Sequence, residues 1–132
     1  MNNKILENLH ELCKDLYYVS ETDAPLEAFT WENSASIFDD NLLRQHLKIN
    51  KKTSIEVETL EDFLAFHSEA QDWHSEEEKG IVVRFQILKV YLNENLAQIQ
   101  VFKVGLIKVV AYILGKDVFG NWIGVKTELV QT

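Results

Sequence analysis

A chain of 132 residues, 46% of them hydrophobic, suits one compact domain that buries roughly two-thirds of its unfolded surface around a single core. A single domain over residues 1–132 is therefore expected. The lone cysteine, Cys13, excludes an intramolecular disulfide and any Cys-pair metal site, so the fold has to stand on packing, and it points to a reducing compartment. Twenty-one acidic residues against 13 basic ones give a net charge of −8, which argues against direct contact with nucleic acid, itself a polyanion.

The first residues alternate charged with apolar side chains, and no apolar stretch reaches signal-peptide or membrane-spanning length. The expected location is cytoplasmic, with no membrane association. The carboxylates are unevenly spread: Ser20 to Asp40 holds six, and Thr53 to Glu78 holds nine, with no Lys or Arg in either stretch. Fifteen of the 21 acidic residues therefore lie in two blocks. Such blocks either keep a surface soluble or steer a basic protein onto it.

In chain order, Ile5, Leu6, Leu9, Leu12, Cys13, Leu16 and Tyr17 recur at three- and four-residue spacing and predict an amphipathic first helix. Ser20 to Pro25 reads as a turn, where small polar residues and the only proline stop the helix. Glu27 to Trp31 alternates as a strand. A short helical pattern runs from Ser36 to Leu47, with Asp39 and Asp40 near its start, and Asn50 to Lys52 makes a loop. Ser54 to Glu58 alternates Ile55 and Val57 with carboxylates and predicts a second strand. Thr59 can cap a further helix, with Asp62 three residues on. Ser75 followed by Glu76, Glu77 and Glu78 predicts the start of the longest helix, since carboxylates suit the positive end of its dipole. Ile81, Val82, Phe85, Leu88, Val90, Tyr91 and Leu92 are expected to form its apolar side, to about Asn95.

The period then changes to two. Gln98 to Val104, Ile107 to Leu114 and Asn121 to Val130 read as strands of a meander, with Gly115, Gly120 and Gly124 marking turns and a possible bulge. The expected architecture is α+β, an α-β-α sandwich with a largely antiparallel sheet covered by helices.

Catalytic chemistry finds little support. Cys13 has hydrophobic neighbours at helical spacing and reads as a buried structural thiol rather than a nucleophile. His67 and His74 flank Glu69 and Asp72, yet their spacing matches no metal-ligand pattern, so ordinary surface is the favoured reading. His10 and His46 stand alone, at the surface or the edge of the core. Asp39-Asp40 and Glu76 to Glu78 are explained by helix capping, because adjacent carboxylates on a helix diverge. The glycines lack the Lys-Ser/Thr of a phosphate loop. No cofactor, no metal of its own and no enzymatic activity are expected.

The segment from Leu16 through Ser20-Glu21, Pro25 and Trp31-Glu32 to Ala35 resembles the signature of the nuclease A inhibitor family: Ser-Glu, a proline, then an aromatic-rich strand ending Trp-Glu before a small-residue turn. Gln71-Asp72-Trp73 ahead of an acidic helix start, Arg84 to Leu88, and the closing hairpin through Gly120-Asn121 to Thr132 agree in order and spacing. The resemblance covers nearly the whole chain from Leu6. It implies an α-β-α sandwich, without activity of its own, that binds a sugar-nonspecific, magnesium-dependent DNA/RNA endonuclease of the ββα-metal type one to one and blocks its active site.

The resemblance also implies roles. Glu21 would meet a nuclease arginine used for phosphate binding, Asp72 and Trp73 would be contact residues, and Thr132 would reach the nuclease-bound magnesium, offering its hydroxyl and, at a chain end, a terminal carboxylate. Gln131 stands where the family often has an acidic residue, and His74 where another aromatic is common. Trp31 and Trp122 read as packing residues. A general acidic interaction module, mimicking nucleic acid for another basic partner, would share the charge and fold without needing Thr132. An enzyme built on the segment from His67 to His74 is the third possibility.

Overall fold

The computed structural model describes residues 4–32 and 37–131. The elements in order are α1 (Lys4–Cys13), β1 (Tyr17–Val19), β2 (Asp23–Pro25), β3 (Glu27–Trp31), α2 (Asp40–Leu47), β4 (Ile55–Glu58), α3 (Leu60–Leu64), α4 (Glu76–Asn95), β5 (Ala97–Val104), β6 (Lys108–Lys116) and β7 (Trp122–Val130). Five strands form one antiparallel sheet in the order β3-β7-β6-β5-β4, and β1 and β2 make a separate two-stranded hairpin. The architecture is α+β, with helices on both faces of the sheet, as the sequence periodicity predicts.

Alternation along the strands sorts the core into two layers. Val101, Val109, Ala111, Ile113, Ile123 and Val125 face one side and pack on Leu9 and Cys13 of α1, Phe63 and Leu64 of α3, and Phe85, Leu88 and Leu92 of α4. Phe102, Leu114 and Trp122 face the other side and pack on Phe38 and Leu43. There Trp31 lies between Phe38, His46 and Tyr112. Both tryptophans expected to pack do so, and His46 sits at the core's edge against the Trp31 ring.

The predicted helix starts are visible as hydrogen bonds. Asp39 Oδ1 accepts from the Leu42 N–H, and Thr59 Oγ1 from the Asp62 N–H. Ser75 and Glu78 close a full capping box over the first turn of α4. Its carboxylates complement the helix dipole, and the Ser75 N–H in particular holds the Glu78 carboxyl below its ordinary value.

Four expectations need correction. The first helix stops at Cys13, because Asp15 is left-handed (φ 56°) and ends the α conformation. Leu16 still reaches the core, but Tyr17 opens a strand. The turn expected over Ser20 to Pro25 shrinks to its first three residues, since Asp23–Pro25 pairs with β1. The second helix begins at Asp40 rather than Ser36, a residue that with 33–35 lies outside the described ones. Finally, Ile81 and Val90 are exposed on α4, whose buried row is Val82, Phe85, Leu88 and Leu92. A helix apolar on more than one side presents only one stripe to the sheet.

The glycines also differ from expectation. Gly120 occupies a turn with positive φ, but Gly115 and Gly124 lie inside strands in regular register. The irregularity falls instead between Ala97 and Gln100, beside Gln98 at φ 55°. Arg84 of α4 donates to the carbonyls of Leu12, Lys14 and Asp15, and so satisfies oxygens left over where α1 ends. The end of the first helix is thereby fixed to the longest helix.

Candidate functional site

The end of the sheet where β7 finishes gathers several loops. The β1–β2 turn, Ser20 to Thr22, arrives from one side. Ser20 Oγ donates to the Thr22 carbonyl at 3.2 Å and accepts from the Val130 N–H at 3.1 Å. Glu21 therefore sits, exposed, on a turn pinned to the last residue of β7. Thr127, further back on the same strand, donates toward the carbonyls of Ala24 and Pro25 and fixes the second arm of the hairpin. From the other side the β5–β6 turn closes in, where the Gln131 N–H donates to Ile107 O at 2.8 Å. The exposed Leu106 and Ile107 thus flank the residue preceding Thr132. Thr132 itself lies outside the described residues.

The α3–α4 loop, carrying Asp72 and Trp73, joins this end through histidine. The Val19 N–H, one residue before the Ser20-Glu21 pair, donates to His67 Nε2 at 3.0 Å. Trp73 is 68% exposed with His74 edge-on at 4.3 Å, an unusual state for an indole, whose area normally belongs in a core or an interface. His74 is held in turn, since its Nδ1 accepts from the Gln71 N–H. Between loop and hairpin lies a cleft of about 260 Å³ lined by Val19, Phe66, Trp73, Ile81 and Phe85, with His67 among them. Phe66, Val19 and Ile81 are exposed, and such a cluster beside an acidic turn has the make-up of a contact surface. Asp72 is exposed next to it.

Glu21 and the last described residues are thus brought together directly, and the Asp72-Trp73 loop is linked to them through Val19 and His67. Two features of this end differ from the sequence expectation or lie outside it. His67 is buried rather than at the surface, stacked on Tyr18 at 4.1 Å and near Phe85 at 4.9 Å. Ile107, expected to open a strand, instead forms with Leu106 an exposed apolar tip ahead of β6. An exposed Leu-Ile pair directly after Gly105 was the available signal.

The other chemical candidates resolve into structure. The Cys13 thiol is pushed up to about 12 by burial, leaving no thiolate to act as a nucleophile. Among the described residues no three of His, Cys, Asp and Glu gather as a metal site, and no helix is long and apolar enough to cross a membrane. The second acidic block is partly paired: Glu56 and Glu58 meet Lys103, and Glu61 meets Lys89. Glu21 and Asp72 are exposed carboxylates of the loop end.

Such an arrangement defines a helix-covered α+β sandwich that offers loops, an acidic turn and an exposed indole at one end of its sheet. The chain belongs to the nuclease A inhibitor family: the family described as "Nuclease A inhibitor-like protein" matches residues 3–132, nearly the whole chain. Membership supports a nuclease-inhibitor role and implies a nuclease as the protein partner. No curated protein matches the chain.

Proposed function

We propose that this protein acts as a single, non-enzymatic domain that inhibits a sugar-nonspecific, magnesium-dependent DNA/RNA endonuclease of the ββα-metal type, occupying its active site one to one. The observation that carries the reading is the Ser20 bond to Val130, which fixes the Glu21 turn beside the chain segment leading to Thr132. In this reading Glu21 takes the place of a substrate phosphate before a nuclease arginine, a pairing that charge-assisted bidentate geometry favours. Thr132 brings a hard hydroxyl oxygen toward the nuclease-bound magnesium, directly or through a retained water. Asp72 and Trp73 supply a flanking contact, with Trp73 as the aromatic anchor. The protein needs no cofactor for this, and its thiol chemistry suits the cytoplasm.

Titrating a purified nonspecific magnesium nuclease with the protein is expected to abolish cleavage at one equivalent. The association rate should fall markedly between low and physiological salt, where screening acts over about 8 Å, because the acidic blocks steer a basic partner. A salt-independent rate would leave the blocks with solubility alone. Binding to basic proteins generally, without stoichiometric inhibition, would instead favour a nucleic-acid-mimicking acidic module. Thr132→Val, which keeps the shape but removes the hydroxyl, should weaken inhibition on the order of tenfold, the scale of one hydrogen bond or ligand contact to a charged group. The melting temperature should not move. Equal inhibition by the Val variant would exclude the hydroxyl from the metal contact.

A further inference from the structure

His67 has a bonding pattern that core packing alone does not call for. Its Nε2 accepts the Val19 N–H, while Nδ1 is buried with no hydrogen-bond partner. A nitrogen that accepts must keep its lone pair, so the bond to Val19 exists only with the neutral ring, whose single proton then resides on Nδ1. The ring is clamped by aromatic faces, Tyr18 from β1 and Phe85 from α4. What it holds is the residue just before Ser20-Glu21, and what it is attached to is the chain that leads into Asp72-Trp73.

We propose that His67 is a positioning residue that locks the Glu21 hairpin to the Asp72-Trp73 loop, and that its protonation unlocks the two, so that the partner is released in acid. The inference rests on the inhibitor reading for its consequence, but not for the lock itself.

Protonation turns Nε2 from acceptor to donor and sets two N–H groups against each other, Val19 and the imidazolium. It also places a cation among aromatic rings in a buried site, where water cannot solvate it. Neutralisation by the surroundings is limited. The titratable groups facing the ring from β1 are Tyr17 and Tyr18, from the loop His74, and from α4 Glu78. Burial, aided by the nearby Glu58, raises the Tyr18 hydroxyl to about 12, so it stays neutral, and it donates to the Phe63 carbonyl. His74 Nδ1 already accepts from Gln71. The Glu78 carboxylate is engaged by the Ser75 N–H.

Burial lowers the His67 pKa from its ordinary value and outweighs the opposing contribution of the Val19 backbone. The neutral ring of the folded state is then cost-free above the unfolded value of about 6.5, and folding or hairpin closure loses stability progressively as pH falls from there through the lower folded value. The loss reaches its full size only below that folded value.

The test compares the whole protein with His67→Gln, whose amide oxygen can still accept from Val19 but does not titrate, at about pH 7.5 and about pH 5. Amide hydrogen exchange in the free protein, expressed as protection relative to the unstructured rate at each pH, is expected to show Val19 protection falling on the order of tenfold in acid. In His67→Gln it should stay level. Binding to a magnesium nuclease, measured by calorimetry on both variants so that the nuclease's own pH dependence cancels in the ratio, should weaken in acid on the order of tenfold more for the native chain. His67→Phe, which keeps the ring stacking and lacks the acceptor, should show low Val19 protection at both pH values. Val19 protection that ignores pH in the native protein would overturn the lock, even if the nuclease binds tightly. Protection that behaves as expected in a protein no nuclease binds would leave the lock standing and remove the inhibitor reading.

Discussion

Replacing Glu21 by alanine is expected to weaken inhibition of the nuclease by roughly 2–5 kcal/mol, the range seen when one partner of a desolvated charge pair is removed. In dissociation constant this is about thirtyfold to several thousandfold. The size comes less from the lost attraction than from what is left behind: an arginine shaped for phosphate, buried at the interface with nothing to accept its hydrogen bonds. The free protein should scarcely notice. Glu21 is exposed, and the turn beneath it is held by Ser20 through the Thr22 carbonyl and the Val130 N–H. Surface substitutions of that kind stay within about 0.5 kcal/mol in stability. Glu21→Gln separates charge from shape: it should lose most of the affinity if ionic pairing dominates, and little if the amide can satisfy the arginine. Titration calorimetry with the three chains, alongside their melting temperatures, checks the expectation, and unchanged affinity for Glu21→Ala would remove the residue from the interface.

A second large effect is expected far from any contact surface, at Gly124. This residue sits mid-strand in β7, between Leu114 of β6 and Phe29 of β3. A Cβ built on it would lie 1.7 Å from the Ile113 carbonyl oxygen and 2.8 Å from its carbon. Both are backbone atoms of the neighbouring strand, so no side-chain rotation relieves the clash, and the strands have to separate. Alanine in place of glycine stiffens the unfolded chain and by that route adds about 0.4–1 kcal/mol of stability. Overpacking in a well-filled interior costs about 1–3 kcal/mol, occasionally more. The second wins here because the obstacle is backbone of the neighbouring strand, and Gly124→Ala should be destabilised by about 2 kcal/mol net, a sizeable fraction of the ~5–15 kcal/mol that holds a domain together. Urea denaturation measures it. A Gly124→Ala protein as stable as the native one would mean that β6 and β7 can part without loss.

The two effects belong to different parts of the same device. Gly124 lets β7 and β6 approach closely, and β7 carries forward to Val130, where the Ser20 hydroxyl ties on the Glu21 turn. In the proposed function affinity depends on the turn's carboxylate, and the position of that carboxylate depends on the strand behind it. A destabilised sheet would lower inhibition indirectly, but with a reduced melting temperature, which Glu21→Ala lacks.

Much of this protein was readable from the chain alone wherever the deciding interactions are local. Capping is such a case: Asp39, Thr59 and Ser75 bind N–H groups only three residues away, so their types and spacing announce the helices. The period-two runs after Asn95 likewise announced β5, β6 and β7, because successive side chains of a strand alternate between the two faces of its sheet. The Ser-Glu, Asp-Trp and Thr residues are named from family resemblance instead, and their roles belong to the proposed function. What the chain could not disclose depends on partners distant in sequence. Helix α1 ends at Cys13 although Leu16 and Tyr17 keep its spacing, since Leu16 serves the core from the connection after the helix and Tyr17 stands exposed on the hairpin. Nothing near Ile81 and Val90 marks them as the exposed side of α4; the single stripe that the sheet can accept decides it. Only the folded chain sets Val130 on Ser20, 110 residues apart, and Val19 on His67, 48 residues apart. Those two hydrogen bonds turn separate motifs into one surface, and bonds closed over such long stretches of chain are set by how the layers pack rather than by any local preference.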